Sequence, residues 1–188
     1  IPLFIHEQNS IPGLVNRILN KLSKLTFEAF PDSFNKSSKI HTVGNPVRSG
    51  IIKNPPTEAK KKEQFNILIL GGSQGSKQLN EIVLKTFRDK IIPINWCIVH
   101  QVGDLDKSSL VDVYSKQSFS YEVVSYIEDI GKAYHESDLV VGRSGAMTVS
   151  EICCSSKPSI LFPLPWAADN HQYFNAKFLE DKKYRFGI

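Results

Sequence analysis

A chain of 188 residues, of which 41% are hydrophobic and 22% charged, is long enough to bury a core and too apolar for a disordered protein. No apolar run is long enough to cross a bilayer, no signal-peptide pattern is present, and a net charge of +4 favours anionic partners only weakly. The three cysteines and five histidines lack the spacing of metal ligands, so we expect no bound metal and a reducing, cytoplasmic environment.

The first segment is predicted to be a strand over residues 2–6, followed by a helix that begins at residue 11 or 12 and ends at Lys24. Apolar residues recur in that helix at helical spacing, which predicts one buried face. The opposite face is basic and carries Arg17, Lys21 and Lys24. Such a face is typical either of a solvated helix or of one that meets anionic lipid headgroups. Because the chain begins at Ile1 rather than Met, we expect a fragment of a longer protein.

A linker is predicted over residues 49–64, after a further strand over residues 39–43. The segment loses its apolar periodicity and carries two consecutive prolines and then a run of lysines, Lys60 to Lys62, which is typical of a connector. We therefore predict three parts: the end of an N-terminal domain over 1–48, the linker over 49–64, and a C-terminal domain over 65–188.

From Phe65 onward, apolar runs alternate with amphipathic segments. The predicted strands cover 66–70, 95–100, 121–124, 138–141 and 159–162, and the predicted helices cover 76–88, 106–114, 129–135, 146–155 and 170–180. This alternation predicts an α/β fold with a doubly wound, Rossmann-like parallel sheet covered by helices on both faces. Ligands of such sheets bind beyond the carboxyl ends of the strands, so the loops after the strands are candidate functional sites.

Two of these loops carry glycines directly before a predicted helix: GGSQGS at Gly71–Ser76, and the start of GRSGAMTVSE at Gly142–Glu151. The free backbone N–H groups of such a turn can bind phosphate, and two such turns in one sheet favour a diphosphate ligand. GGSQGS matches neither the Walker A loop nor the GxGxxG pattern, and a tight turn explains it equally well. In the second loop, Thr148 and Glu151 have the spacing of a capping box.

Several polar positions have both a structural and a functional interpretation. Glu151, early in its helix, either complements the helix dipole or binds a ribose diol. His6 and Glu7 at a strand end could be an acid and a base, although a structural pair is more common there. Arg48 could pair with a phosphate or hold a domain junction together. Gln172 could bind sugar hydroxyls or cap the helix that follows it.

Five motifs stand in a fixed order along the chain, and none of them is specific alone. They are IHEQNSIPGLVNR (Ile5–Arg17), GNPVR (Gly44–Arg48), LGGSQGS (Leu70–Ser76), SGAMTVSE (Ser144–Glu151) and ADNHQYFNA (Ala168–Ala176). Together they resemble the MurG family of bacterial peptidoglycan glycosyltransferases across essentially the whole chain. The resemblance implies a GT-B architecture of two Rossmann-like domains, with the donor nucleotide in the C-terminal domain and with no metal or cofactor.

The resemblance also implies which residues bind the donor, UDP-N-acetylglucosamine (UDP-GlcNAc). These are Asn9, Arg48, Ser73, Ile127, Ala146, Met147, Thr148, Val149, Ser150, Glu151 and Gln172. Among them, Ile127 would contact uracil through its backbone, with Tyr126 nearby, and Glu151 would bind the ribose hydroxyls. Ser73 and Arg48 would face the diphosphate. Gln172 would contact the sugar, and Asn9 would reach the donor from the other domain.

The implied activity is the inverting transfer of N-acetylglucosamine from UDP-GlcNAc to undecaprenyl-diphospho-N-acetylmuramyl-pentapeptide in peptidoglycan synthesis. The implied partners are these two substrates and the cytoplasmic face of the bacterial inner membrane, to which the protein would bind peripherally, but no nucleic acid. The chain lacks most of the family's N-terminal domain, where the catalytic base resides, and the family's closing helix. His6 and Glu7 would lie on the acceptor side of the cleft. We therefore expect this chain to bind UDP-GlcNAc weakly and to transfer no sugar.

Two alternative functions stay open. One is a donor-binding subunit of a split glycosyltransferase that works with a separate membrane-associated acceptor subunit. The segment from His6 to Arg48 argues against it, because that segment resembles the end of a fused acceptor domain. The other is a UDP-GlcNAc epimerase of similar fold, which should carry further acid and base residues in its cleft.

Overall fold

The structure is a computed structural model that describes residues 1–52, 63–72, 75–88, 90, 92–105, 107–165 and 168–181. Its elements in chain order are β1 (Phe4–Glu7), α1 (Leu14–Leu22), β2 (Leu25–Glu28), β3 (Ile40–Thr42), α2 (Ser49–Ile52), β4 (Phe65–Leu70), α3 (Lys77–Arg88), β5 (Trp96–Gln101), α4 (Ser108–Ser115), β6 (Ser120–Val124), α5 (Ile130–Glu136), β7 (Leu139–Gly142), α6 (Ala146–Ser155), β8 (Ser159–Leu161), a 3-10 turn (Ala168–Asn170) and α7 (His171–Asp181). The predicted alternation of strands and helices from Phe65 onward is confirmed, with element ends within a few residues of the predicted ones.

By its internal contacts the chain divides into two compact units. Unit 1 comprises Ile1–Val47, Ser144–Glu151 and Pro163–Ile188, and unit 2 comprises Arg48–Arg143 and Ile152–Phe162. The contacts thus group the start of α6 and all of α7 with the N-terminal segment, whereas the boundaries drawn from the sequence place both in the C-terminal domain. Residues 53–62 of the predicted linker lie outside the described residues. The domain boundaries therefore stay a prediction.

Unit 2 is built on a parallel sheet with the strand order β6-β5-β4-β7-β8. The central strand β4 pairs with β5 on one side and β7 on the other, so that Ile67 lies opposite both Ile98 and Leu139. Residues from Ile67 to Leu70 are all buried, as expected for a strand covered on both faces. The strand order reverses between β4 and β7, and the loop after β4 therefore borders the crevice where ligands of such sheets bind.

The hydrophobic core of unit 2 packs α3 and α4 against this sheet. Its buried members are Ile67, Ile69, Leu79, Val83, Phe87, Ile92, Ile98, Val102, Leu110, Val113, Tyr114 and Phe119. The rings of Phe87, Tyr114 and Phe119 pack edge to face, with centroids 5.4 to 5.6 Å apart. Edge-to-face packing stabilises the core by more than the burial of apolar area alone would.

A buried polar cluster, the His100 network, crosses this core and consists of His100, Asn80 and Tyr114. The His100 Nε2 lies 3.2 Å from Asn80 Oδ1, an acceptor, so this nitrogen carries the proton. The His100 Nδ1 then accepts from the Tyr114 hydroxyl, 3.0 Å away. Burial lowers the pKa of His100 to about 4 and raises that of Tyr114. The imidazole is therefore neutral, with both ring nitrogens hydrogen-bonded.

Unit 1 contains a three-stranded parallel sheet in the order β1-β2-β3, and β2 was not predicted from the sequence. The predicted helix end at Lys24 is also wrong, because α1 ends at Leu22. Ser23 is already extended, its N–H donates to Leu19 O at 2.9 Å, and its hydroxyl bonds to Thr26 Oγ1 at 2.7 Å. The chain therefore turns directly from the helix into β2.

The apolar face of α1, predicted to be buried, is exposed in this chain. None of the nine helical residues is buried, and Leu14, Ile18 and Leu22 are 64%, 54% and 74% exposed. The difference arises because nothing in the described part of unit 1 packs over these side chains. Among the described residues, no helix is both long and apolar enough to span a bilayer.

Candidate functional site

The start of α6 presents three unpaired backbone N–H groups. The helix begins at Ala146. Its first backbone N–H with a hydrogen-bond acceptor is that of Val149, which donates to Gly145 O at 3.0 Å. In the described part of the chain, the N–H groups of Ala146, Met147 and Thr148 have no hydrogen-bond acceptor. They lie on successive residues of one helix terminus, where the helix dipole also favours negative charge. This terminus is suited to bind an anion.

The capping-box interpretation of Thr148 and Glu151 is wrong. Thr148 is the third residue of α6, whereas a capping residue must precede the first helical residue. The residue before the helix is Gly145, which has no side chain to cap it.

Two polar residues near the start of α6 are buried. Ser144 is fully buried, and its hydroxyl has no hydrogen-bond partner among the described residues. Glu151 is 6% exposed, so this acidic residue is buried.

Asn45 anchors the GNPVR motif to this helix. Its Nδ2 donates to Ser150 Oγ and to Gln8 O, both at 3.0 Å. Ser150 Oγ in turn donates to Ala146 O at 2.9 Å, inside the helix. Only Arg48 of this motif was assigned a role from the sequence, because the partner of Asn45 lies 105 residues away in the chain.

The segment before α7 holds Gln172 in place. Gln172 Oε1 accepts from Leu164 N at 3.0 Å, so its carbonyl closes the preceding loop while its amide N–H groups can still donate to a ligand. Asp169 and Asn170 both have positive φ, 52° and 53°, which is rare for residues other than glycine. An exposed ion pair at 3.1 Å joins Asp169 to Arg17 and helps to hold this strained turn.

Glu7 organises the loop between β1 and α1. It is 3% exposed, and its Oε1 accepts from both the backbone N and Nδ2 of Asn9, at 2.9 and 3.3 Å. Its Oε2 accepts from Gly13 N and Asn16 Nδ2, at 3.1 and 2.9 Å. The carboxylate thus accepts hydrogen bonds from four N–H groups, which gives it a structural role. The role of Glu7 as an acid or base stays a prediction without support from this geometry.

A cavity of about 410 Å³ lies beside this loop. It is lined by His6, Glu7, Gln8, Asn9, Gly13, Leu14, Val15 and Asn16. His6 Nε2 lies 3.0 Å from Gly44 O, an acceptor, so Nε2 carries the proton and Nδ1 is the basic nitrogen. Unit 1 therefore brings together Asn9, the first six residues of α6, Gln172 and this cavity.

Unit 2 holds the predicted residues Arg48 and Ile127. Arg48 is exposed, and its carbonyl accepts from Ile51 N at 3.0 Å at the start of α2. Ile127 lies in the loop between β6 and α5, and its backbone N–H and C=O have no hydrogen-bond partner within the described residues. Both groups can therefore contact a ligand, as the predicted uracil contact requires. Ser73 lies outside the described residues.

Arg143, directly after β7, joins the loop after β4 to the end of β8. Its Nε donates to Ser76 Oγ at 2.8 Å, one terminal nitrogen to Gln78 Oε1 at 3.0 Å, and the other to Phe162 O at 3.1 Å. Burial lowers the pKa of this guanidinium, but its ordinary value is so high that it stays cationic. Arg143 lies in a motif, but no role could be predicted for it from the sequence, because its partners are distant in the chain.

The two loops at this edge of the sheet pack backbone against backbone. A Cβ on Gly103 would lie 2.1 Å from Gly75 N and 2.8 Å from Gly72 O. Gly71 N donates to Gln101 O at 2.8 Å and fixes the start of the loop after β4.

Across the described ranges, no group of three or more His, Cys, Asp or Glu side chains could hold a metal ion. The expectation of a metal-free site stays a prediction.

The model of the glycosyltransferase family 28 C-terminal domain matches residues 66–188. The chain belongs to this family. Two of its relatives match most of this chain. The one from Coxiella burnetii is 42% identical over 182 residues, which cover 95% of this chain and 51% of the relative. One from Acinetobacter baumannii is 41% identical over 189 residues, which cover 96% of this chain and 51% of the relative.

Both relatives are named "UDP-N-acetylglucosamine--N-acetylmuramyl-(pentapeptide) pyrophosphoryl-undecaprenol N-acetylglucosamine transferase". The chain therefore spans about half the length of the family 28 relatives that it matches. Their names confirm the resemblance to MurG glycosyltransferases and do not favour the epimerase alternative.

Solved structures of glycosyltransferases share the fold. The crystal structure of Acinetobacter baumannii MurG has a TM-score of 0.79 and 37% identity, covering 97% of this chain and 52% of that one. The glycotransferase of kitacinnamycin has a TM-score of 0.62 at 18% identity, covering 90% of this chain and 43% of that one, and shows the fold alone. The predicted fold class, a Rossmann-like parallel sheet of GT-B type, is confirmed.

Proposed function

We propose that this chain is the donor-binding part of an inverting hexosyltransferase that moves N-acetylglucosamine from UDP-GlcNAc to undecaprenyl-diphospho-N-acetylmuramyl-pentapeptide. The observation that carries the proposal is the start of α6, where the N–H groups of Ala146, Met147 and Thr148 are unpaired. The names of the family 28 relatives support the choice of both substrates. Peptidoglycan synthesis is the process that this transfer serves.

The proposed chemistry leaves a charged product at this helix. The bond between the sugar C1 and the diphosphate oxygen breaks as an acceptor hydroxyl oxygen bonds to C1 from the opposite face. The diphosphate gains negative charge, which the three N–H groups stabilise. The hydroxyl proton passes to a base that we place outside this chain. The chain by itself is therefore expected to bind the donor weakly and to transfer no sugar.

The proposal predicts a specific role for Glu151 in donor binding. If its carboxylate accepts from the ribose hydroxyls, the parent chain should bind UDP more tightly than 2′-deoxy-UDP. In Glu151→Ala, the affinity for UDP should fall about tenfold or more, as expected for hydrogen bonds to a charged group, and the preference for UDP should vanish. Titration calorimetry with UDP-GlcNAc, UDP and 2′-deoxy-UDP measures all of these quantities.

Glu180→Ala provides the control, because Glu180 is an exposed carboxylate of α7 outside the proposed site. This variant should bind all three ligands as the parent does. The proposal fails if the parent chain shows no affinity for UDP-GlcNAc. The assignment of Glu151 alone fails if Glu151→Ala still prefers UDP to 2′-deoxy-UDP.

We also propose that the protein binds peripherally to the cytoplasmic face of the bacterial inner membrane, through α1. This helix combines exposed apolar side chains with Arg17 and Lys21, and Lys24 follows it. Such a helix can lie in the headgroup region of an anionic bilayer. The membrane is the occupant that we choose, because the proposed acceptor carries an undecaprenyl chain that must reside in lipid.

Charge reversal in Lys21→Glu/Lys24→Glu should weaken binding to phosphatidylglycerol-containing vesicles about tenfold or more, since each basic residue near an anionic surface contributes about 1 kcal/mol. Flotation of the chain with the vesicles measures the bound fraction. Lys85→Glu on α3 is the control and should change binding little. Equal binding of the double variant and the parent would contradict the role of α1.

A further inference from the structure

A single buried amide connects the loop after β1 to the start of α6. Asn175 of α7 is fully buried, although its side chain is polar. Its Oδ1 accepts from both the backbone N and the Oγ of Ser10, each at 2.9 Å. Its Nδ2 donates to Asn9 Oδ1 and to Ser144 O, each at 3.2 Å. The amide thus makes four hydrogen bonds to residues of unit 1, its full capacity of two donated and two accepted.

These four bonds determine how two segments of the proposed donor site are oriented. Ser144 is the second residue before α6, so the bond to its carbonyl fixes the approach to the helix terminus with the unpaired N–H groups. On the other side, Asn9 donates its own Nδ2 to Glu7 Oε1 at 3.3 Å. The Asn9 amide is therefore held at both ends, with one N–H and one oxygen lone pair left for a ligand.

We propose that Asn175 is a positioning residue that holds Asn9 and the start of α6 in the geometry in which they bind the nucleotide sugar. The inference rests on the proposed function, because it assumes that these two segments contact the donor. Asn175 itself contacts no ligand, since all four of its hydrogen bonds go to the protein and no part of it is exposed. A buried amide that satisfies every partner specifies one arrangement, because any shift leaves a buried polar group unpaired.

The two sides of the amide can be tested separately. Asn175→Asp keeps the oxygen that accepts from Ser10 but replaces the donor that serves Asn9 and Ser144. Ser10→Ala removes one bond on the other side and leaves both donated bonds intact. If Asn175 positions the donor site, Asn175→Asp should weaken UDP-GlcNAc binding about tenfold or more, whereas Ser10→Ala should stay within about twofold of the parent. Titration calorimetry on variants shown to be folded by circular dichroism provides the comparison.

A double variant tests whether Asn175 acts through Asn9. Asn9→Ala removes the side chain that Asn175 orients, so the effects of Asn9→Ala and Asn175→Asp on affinity should be less than additive. A residue that only stabilises the fold would give additive effects. If the buried carboxylate prevents Asn175→Asp from folding, Asn175→Ala, which introduces no charge, replaces it in both comparisons.

Hydrogen exchange examines the network without a ligand. The Ser10 amide should exchange faster in Asn175→Ala than in the parent and should remain protected in Asn175→Asp. If the parent binds UDP-GlcNAc and Asn175→Asp binds it within about twofold, the positioning role is overturned while the proposed function stands. If the parent does not bind UDP-GlcNAc, the proposed function fails and this inference fails with it. Equal exchange at Ser10 in the parent and in Asn175→Ala would overturn the network itself.

Discussion

Gly103→Ala should lower the free energy of unfolding by about 2–4 kcal/mol, because the new methyl group collides with backbone in a conformation that already disfavours it. Gly103 has φ of +70°, and a Cβ there would lie 2.1 Å from Gly75 N and 2.5 Å from Gly75 Cα. Backbone atoms cannot rotate away as a side chain can, so one of the two loops must move. The family resemblance predicts that Ser73, in the loop that begins at Gly71, faces the diphosphate, so UDP-GlcNAc affinity should fall as well.

Two glycines offer matched controls for this substitution. Gly44 has φ of +78° with no atom near its Cβ position, so Gly44→Ala should show only the backbone strain, about 1 kcal/mol. Gly13 has φ of −64° and open space, so Gly13→Ala should be nearly neutral. Urea unfolding of the three variants separates collision from strain. A loss in Gly103→Ala no larger than that in Gly44→Ala would contradict the predicted contact between the loops.

The sheet of unit 2 could be predicted because its central strands are apolar runs that alternate with amphipathic helices. β4 is the clearest case, since the four residues from Ile67 are all apolar and all buried. β2 could not be found in this way. It begins at Leu25, directly after the helix, and its four residues alternate between polar and apolar over too short a span to show a period.

The candidate site was predictable only where a motif lies next to the backbone that it shapes. The glycines before α6 indicated unpaired N–H groups at the start of the helix, and the structure places them there. The capping role predicted for Thr148 is wrong because its spacing to Glu151 does not show where the helix begins. Asn45 and Asn175 had no local signal, since their partners Ser150 and Ser10 lie 105 and 165 residues away in the chain.

The His100 network should make unit 2 sensitive to acid. Burial holds the pKa of His100 at about 4, below its ordinary value of 6.5, so between these pH values an unfolded chain binds a proton that the folded chain does not. The free energy of unfolding is therefore independent of His100 protonation above pH 6.5, and it declines through this group as the pH falls toward 4. The loss over the whole window is about 3 kcal/mol, at about 1.4 kcal/mol per unit of pKa difference.

His100→Gln tests whether the acid sensitivity of unit 2 comes from His100, because the substitution removes the titrating group from the core. At pH 7 the parent should be the more stable chain, and by pH 4 its advantage should have decreased by about 3 kcal/mol. Urea unfolding at pH 7, 5.5 and 4 measures both chains, and their difference cancels the protonation of carboxylates that the two share. Leu110→Ala, a cavity variant in the same core, is the control. Its difference from the parent should be the same at every pH, because it leaves His100 in place. A constant difference for His100→Gln as well would mean that the imidazole is protonated equally in the folded and unfolded chains, and that the core around Asn80 and Tyr114 admits water.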